Sequence, residues 1–410
     1  MKHELFIAKR IGATTSKEHS VTKPIINIAV GAIAISLIVI IIAMATGMGL
    51  QKTIRDKVAH FGGHIRITNF DFNNAAEQSP ISGNQEFYQV LKDKPKIDHV
   101  QKVATKAGLI KTETDFEGVI FKGISSDFNP KFFKEYLRQG TVPSFYPGMR
   151  NDSIVVSSLL AKRLQLSIGH KVAMYFFNKG NGKPKIRAFI VSGIYNTGLE
   201  DFDKNMVFGA LEQIRGINKW EASQIGAFEI QLHNFSDLEK MDEWIYQIIG
   251  FNLSTQTVAE LHPQLLQWVQ LFDTNIILII AIMIAVGIIN ITSALLIMIL
   301  ERTQMIGILK ALGSNNWSIR KIFILKASQL IFKGLLIGNV IGLGFCLLQQ
   351  NFGWIELDET SYYVRQVPIY LDWSLIILVN VGTLLIAFFT MLFPSWLITK
   401  IKPIKAIRFD

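Results

Sequence analysis

The chain has 410 residues, half of them hydrophobic and only 18% charged, with a mean hydropathy of +0.31. That balance excludes an ordinary soluble domain and places the chain among membrane proteins. The net charge of +10 does not mark a nucleic-acid surface, because much of it falls in short segments beside apolar runs, where basic residues set membrane topology.

In chain order, residues 1–23 read as a cytoplasmic amphipathic segment, with Leu5, Phe6, Ile7, Lys9 and Arg10 predicting a short helix on the membrane surface. The uncharged run between Lys23 and Lys52 is long enough to cross about 30 Å of hydrocarbon and predicts a first span over 24–50. It is too long for a signal-peptide core and ends in no small-residue cleavage site.

Residues 51–272 form a polar region of α/β texture. Alternation predicts strands at His64–Asn69, Val100–Ile110, Phe116–Lys122, Ser153–Val156, Lys171–Phe177, Arg187–Ile194, Met206–Phe208 and Ala227–Leu232. Helices are predicted at Gln85–Lys92, Ser157–Leu164, Leu211–Arg215 and Asp237–Ile248. The turn residues of Asn178–Pro184 predict a protruding hairpin.

Three more apolar runs predict spans over 273–300, 321–350 and 373–399. Between them lie a cytoplasmic coupling helix and loop, 301–320, and a short outer loop, 351–372; a tail, 400–410, follows. Lys326 and Lys333 blur the start of the third span, since long lysine side chains snorkel toward the interface. Basic residues before the first span, between the second and third, and after the fourth contrast with the acidic Glu356, Asp358, Glu359 and Asp372. This asymmetry puts both termini in the cytoplasm. The fold class is thus an integral membrane protein, four transmembrane α-helices with a large extracytoplasmic α/β domain between the first and second.

The motifs of common chemistry are missing from the sequence: no phosphate loop, nucleophile elbow, H-E-x-x-H helix or paired intramembrane carboxylates. His60 and His64 have helical metal-ligand spacing, but Gly62 and Gly63 between them favour a turn entering a strand. Cys346, the single cysteine, allows no internal disulfide. Asn27, Asn275, Asn290, Asn339 and Asn380 read as interhelical hydrogen-bond partners, and Gly334, Gly338 and Gly342, four apart, as a face for close helix packing. No catalytic or metal-binding residue is assigned, and no cofactor is expected on this chain.

The strongest functional signal follows Leu300. Ile306, Leu309 and Leu312 form an apolar side, Glu301, Arg302, Gln304 and Lys310 supply polar groups, and Gly313 can end the helix in a left-handed conformation. An interfacial helix resting on lipid has the same periodicity. The run Glu301-Arg302-Thr-x-x-Ile306-Gly307-Ile-Leu309-Lys310-Ala-Leu312-Gly313 resembles the signature of the FtsX/MacB/LolC/LolE superfamily of mechanotransmission ABC permeases. Phe6–Arg10, Gly47-Met48 and Pro394–Arg408 resemble further family segments, so the likeness covers essentially the whole chain. Phe189–Asp203, Val119–Ile124, Ile154–Leu164, Gly169–Val172 and Tyr363–Leu371 are similar to the lipoprotein-releasing LolC/LolE branch.

The resemblance implies a MacB-like periplasmic core with a second subdomain, in a bacterial inner-membrane permease that is not itself an enzyme. It implies a separate LolD-like ABC ATPase carrying ATP and Mg, a second permease copy or paralogue, an acylated lipoprotein substrate and a LolA-like periplasmic chaperone. The ATPase would press on Glu301, Arg302, Ile306, Gly307, Leu309, Lys310, Leu312 and Gly313. The outer ends of the first two spans are chosen for lateral substrate access, with Ile41, Met44, Met48 and Leu50 facing Leu265, Trp268, Val269 and Phe272; adaptable methionines suit varied acyl chains. Ordinary packing gives the same pattern. The hairpin residues Phe177, Asn178, Lys179, Pro184 and Lys185 are the candidate chaperone contact, although the hairpin is shorter than the hook of LolC-type subunits. A related permease exporting another substrate or transmitting force to an envelope hydrolase stays open as an alternative, as does a membrane-anchored enzyme or receptor.

Overall fold

A computed structural model describes residues 22–70, 78–112, 115–177 and 183–401. The predicted surface helix at Leu5–Arg10 and the tail beyond 401 lie outside the described residues. The chain divides into two compact units. One contains the chain up to Gln51, Gln270–Glu356 and the chain from Gln366; the other contains Lys52–Val269 and Leu357–Arg365.

Among the described residues, four helices are long and apolar enough to cross a membrane: Ile26–Gly62, Pro263–Glu301, Asn316–Phe352 and Trp373–Lys400. Three exceed their predicted spans. The first helix, Thr22–Gly62, continues past Leu50 because Lys52, Arg55, Asp56 and Lys57 end the apolar run without breaking the helix. The second already begins at Pro263. The third starts at Asn316, where the Asn315 side chain accepts from the Trp317 amide, so it takes up part of the expected 301–320 loop.

Within the membrane unit, Ile33, Leu37 and Ile41 pack with Ile291, Leu295, Phe323, Ile331 and Met391 in one buried cluster. The glycine face of the third spanning helix meets the first. A Cβ on Gly334 would stand 2.7 Å from the Ile33 side chain, and one on Gly338 would stand 3.0 Å from both the Ala34 carbonyl and Leu37. Asn339 and Asn380 exchange side-chain amide hydrogen bonds at 2.6 and 3.1 Å, joining the third and fourth spanning helices. Asn27 and Asn275 are exposed instead.

The described residues of the other unit form twelve strands: β1 Ile65–Asn69, β2 Ile81–Ser82, β3 Ile97–Lys111, β4 Phe116–Ile124, β5 Leu137–Gly140, β6 Ser153–Ser157, β7 Lys171–Phe176, β8 Lys185–Tyr195, β9 Met206–Ala210, β10 Gln224–Ile225, β11 Ala227–Leu232 and β12 Leu253–Thr257. Ten form one mixed sheet in the order β12-β1-β11-β3-β4-β9-β6-β8-β5, with β7 pairing to β3 and β8; β2 and β10 form a separate pair. β4 with β9 and β6 with β8 run parallel. Strands β2, β5, β10 and β12 and helices Pro130–Tyr136, Glu200–Asp203, Val258–Leu261 and Glu359–Tyr362 were not expected.

Phe61, at the end of the first helix, lies in the aromatic core of this unit. Its ring centroid is 4.2 Å from that of Phe202 and 5.7 Å from that of Phe208. Beneath it, Lys122 Nζ donates at 2.6 Å to the Phe61 carbonyl and at 2.8 Å to Glu229, which also accepts from Gln101 at 2.8 Å. Both ionic side chains are only 3% exposed, so their charges depend on one another in a low-dielectric interior. The sheet carries this buried polar network at its centre.

Candidate functional site

The helix after the second span runs Thr303–Ala311. Its end is fixed by two backbone bonds, Gly313 N to Lys310 O at 3.0 Å and Ser314 N to Leu309 O at 2.9 Å. With Gly313 at φ +85°, this is the Schellman arrangement that glycine adopts without a Cβ penalty. The expected apolar side divides. Ile306 is fully buried in the membrane-unit core and Leu309 packs against that core, whereas Leu312 is 77% exposed. Ile308 and Trp317, which the periodicity did not single out, stand exposed as well. The projecting tip therefore combines Ile308, Leu312 and Trp317 with exposed Gln304 and Glu301, while Gly307 is buried on the inner side.

Lys310 departs from the expected polar contact. Its Nζ donates to the carbonyls of Ile398 at 2.6 Å and Ile401 at 2.8 Å, at the carboxyl end of the short helix Leu397–Lys400. Desolvation pushes its ammonium below the ordinary lysine range. The side chain is used within the chain itself, neutralising orphan carbonyls at the negative end of a helix. Arg302 is partly covered.

At the outer end of the membrane unit, Ile41, Met44 and Leu50 are buried and Met48 half-buried. Gln51 Nε2 donates to Asp273 Oδ1 at 2.7 Å, and Phe272 is half-buried. Gly49 faces the Pro368 carbonyl so closely that a Cβ has no room, and Tyr370 N donates to the Ala45 carbonyl at 3.0 Å. In this conformation the chosen access residues of the first span are packing residues. In the α/β unit, Leu265 and Val269 are buried, and Trp268 makes an edge contact with Tyr363 at 5.7 Å between ring centroids.

The predicted hairpin joins β7 and β8. Asn178 and Lys179 lie outside the described residues. Phe177 and Pro184 are exposed, but Lys185 Nζ donates to the Ile217 carbonyl at 2.5 Å. On the outer face at the hairpin base, Tyr175 pairs with Ile186 and Ala173 with Ala188, a surface more apolar than the hairpin sequence suggested.

The segment Asn196–Asp203 is tightly organised. Asp203 accepts from Thr197 N at 3.0 Å, Gly198 N at 3.1 Å and Thr197 Oγ1 at 2.8 Å. Burial nevertheless pushes its carboxyl up to about 6. Lys57 Nζ donates to the carbonyls of Thr197 and Tyr363, both at 2.8 Å, so the segment between the third and fourth spans is tied into the α/β unit. Among the described residues there is no group of three side chains suited to a metal, and His60 falls inside the first helix while His64 follows the Gly62–Gly63 break.

Among the described residues, four apolar helices, an α/β domain between the first two and a capped helix after the second make up a membrane protein with a large inserted domain. The MacB-like periplasmic core domain family matches residues 28–246, more than half of the chain, and the FtsX-like permease C-terminal family matches residues 277–403. The chain belongs to this family of ABC permeases. It is similar to the "Lipoprotein-releasing system transmembrane protein LolC" of Xylella fastidiosa, 21% identical over 92% of each chain. It is also similar to the corresponding LolE protein of Haemophilus influenzae, 22% identical over 92% of each chain. Among solved structures, the periplasmic region of MacB from Actinobacillus actinomycetemcomitans aligns with 48% of this chain and 90% of that one, at 15% identity and a TM-score of 0.33.

Proposed function

We propose that this chain is the permease subunit of an ABC transporter that releases acylated lipoproteins from the bacterial inner membrane toward a periplasmic chaperone. The observation that carries the reading is similarity to LolC and LolE over nearly the whole length of both chains, rather than over a shared domain alone. Hydrolysis of ATP with Mg takes place on a separate LolD-like ATPase.

In this reading the ATPase seats the tip formed by Ile308, Leu312 and Trp317. Glu301 and Gln304 lie beside it, and Ile306, Gly307 and Leu309 carry the push into the bundle. Lys310 and Gly313 hold the tip's shape, and Arg302 stands at the junction with the second span. The stroke moves the first two spans and through them the outer domain. Ile41, Met44, Met48 and Leu50, with Leu265, Trp268, Val269 and Phe272, become a lateral opening when the spans rearrange against a second permease chain. The second spanning helix supports this, since most of its apolar stretch is left uncovered within the single chain, whereas half of the first is buried. Each methylene of an acyl chain transferred from the bilayer costs about 0.8 kcal/mol, so the power stroke works against a steep retention energy. The β7–β8 hairpin, with Phe177 and Pro184 exposed, is the proposed contact for a LolA-like chaperone. Both termini and the projecting tip lie in the cytoplasm, on the side of the basic loops.

The test is gentle affinity purification from membranes with mass spectrometry of proteins and acyl species. Recovery of an ABC ATPase with acylated lipoproteins is expected. An ATPase accompanied by a cell-wall hydrolase or export duct would overturn the substrate, and repeated absence of any ATPase would overturn the permease role.

A further inference from the structure

Lys326 and Lys333 lie within the helix Asn316–Phe352, seven residues apart, hence on one face and about 10 Å apart along the axis. Lys333 is exposed and Lys326 half-buried, and neither has a hydrogen-bonding or ion-pair partner among the described residues. Residues 302–355 contain no Asp or Glu, and neither does the fourth spanning helix, Trp373–Lys400. Lys333 directly precedes Gly334, which packs on Ile33 of the first spanning helix, and its own side chain is exposed on the adjoining face of the helix. A lysine facing lipid is costly unless its ammonium snorkels to the interface or reaches a counter-charge there.

A groove of about 380 Å³ opens between the third and fourth spanning helices, lined by Phe332, Leu335, Leu336, Val340, Val381 and Leu384; neither lysine lines it, but Lys333 directly follows Phe332 at its edge. Leu336 and Val340 follow Lys333 by three and seven residues and so share its side of the helix. The polar groups of the groove, Asn339 and Asn380, are already occupied. Each donates to the other and to its own helix, at 2.8 Å to the Leu335 carbonyl and 2.9 Å to the Ile376 carbonyl. The groove therefore suits a hydrocarbon chain. Side chains on a helix lean toward its N-terminus, which carries the Lys333 amine toward Lys326 and toward the basic side of the membrane.

We propose that this edge of the bundle is a binding site for an anionic phospholipid, its phosphate held between Lys326 and Lys333 and one acyl chain lying in the groove. Basic residues flanking an intermembrane-helix crevice attract anionic headgroups, and a cleft of this size falls within the range of ordinary ligand sites. The site is separate from the coupling tip and the lateral opening, and does not depend on the lipoprotein reading.

The experiment is native mass spectrometry of the full-length protein taken from phosphatidylcholine vesicles containing a minor share of phosphatidylglycerol. The wild-type protein retains phosphatidylglycerol preferentially, and the Lys326→Gln/Lys333→Gln variant loses that preference by about thirtyfold. Lys326→Arg/Lys333→Arg keeps it, which supplies the comparison if the neutral variant inserts poorly. Leu336→Trp fills the groove and lowers retention with both charges intact. Equal retention of the two lipids by the wild-type protein, or an unchanged preference in both the Gln and the Trp variants, overturns the site. A Trp variant with undiminished retention overturns the groove as the seat of the acyl chain. Carboxylate cross-linking of Lys333 to another protein identifies a partner helix instead and likewise overturns the proposal.

Discussion

Lys310 Nζ stands 2.6 Å from the carbonyl oxygen of Ile398, linking the helix after the second span to the short helix Leu397–Lys400. Lys310→Met removes a charged donor from three carbonyls, of Ile398, Thr399 and Ile401. Charge-assisted bonds of this kind contribute about 1.5–3 kcal/mol. Hydrogen exchange is expected to accelerate at 397–401 by at least roughly tenfold, with the spanning helices unchanged. Unaltered exchange there would show that the carbonyls are satisfied without the lysine.

Leu312 and Trp317 project from the unit without supporting its core. Leu312→Glu and Trp317→Glu are expected to leave the melting temperature of the solubilised permease within a few degrees, since exposed substitutions typically cost under about 0.5 kcal/mol. Co-purification of the ATPase should fall at least roughly tenfold, as loss of an apolar anchor predicts. Full co-purification by both variants would remove the tip from the docking surface.

Gly338 leaves no room for a side chain, with the Ala34 carbonyl and Leu37 both at 3.0 Å from an added Cβ. Gly338→Leu should separate the first and third spanning helices and destabilise the permease by about 1–3 kcal/mol or more. Gly344, with nothing within 4 Å of an added Cβ, serves as the comparison, and Gly344→Leu should be nearly neutral. Thermal unfolding in detergent reads the difference.

The Lys122–Glu229 pair makes a sharper case in the α/β unit. Lys122→Met alone leaves a carboxylate buried without its cation and is expected to cost about 3–5 kcal/mol. Combining it with Glu229→Leu should recover only part of that loss, because no carboxylate is then left unpaired but the buried Arg66 guanidinium loses the charge of Glu229. A double variant as unstable as the sum of the singles would mean that Gln101 and the Phe61 carbonyl dominate the network.

The pH response has two opposed parts. Burial holds the His64 imidazole down near 4 from 6.5, so the unfolded chain binds that proton first. Its contribution is complete above about 6.5 and is lost as pH falls through about 4. Asp203 behaves oppositely: burial raises its carboxyl from 3.8 to about 6, so its contribution is present below 3.8 and lost as pH rises through about 6. Asp203→Asn should therefore steepen the loss of stability on acidification, and His64→Gln should flatten it. Unfolding midpoints across this range, in the full-length protein, give both slopes.

What was legible in the sequence follows from where side chains rather than backbone decide the structure. The four spans declare themselves by uncharged length, and β3, β4, β8 and β11 by alternation, because side-chain burial selects those elements. Strands β5 and β12 are the two ends of the main sheet order. Their sequences, Leu-Arg-Gln-Gly and Leu-Ser-Thr-Gln-Thr, are largely polar, and pairing on one side through the backbone places them. The helix Pro130–Tyr136 did carry a readable signal, Asn129 as its cap with Pro130 next, but its seven residues are too few for periodicity. At the site, Gly313 was readable as a helix stop. The capping use of Lys310 was not, since its carbonyl partners lie nearly ninety residues away and leave no mark on local spacing.

Because Leu357–Arg365 belongs with the α/β unit, that unit is not a continuous insert that can be cut out at two places. A fragment covering only Lys52–Val269 would leave the Lys57 ammonium without the Tyr363 carbonyl and Trp268 without its aromatic neighbour. A faithful soluble version needs the nine residues 357–365 grafted back through a linker, or binding measured on the fragment will describe a surface the intact permease does not present.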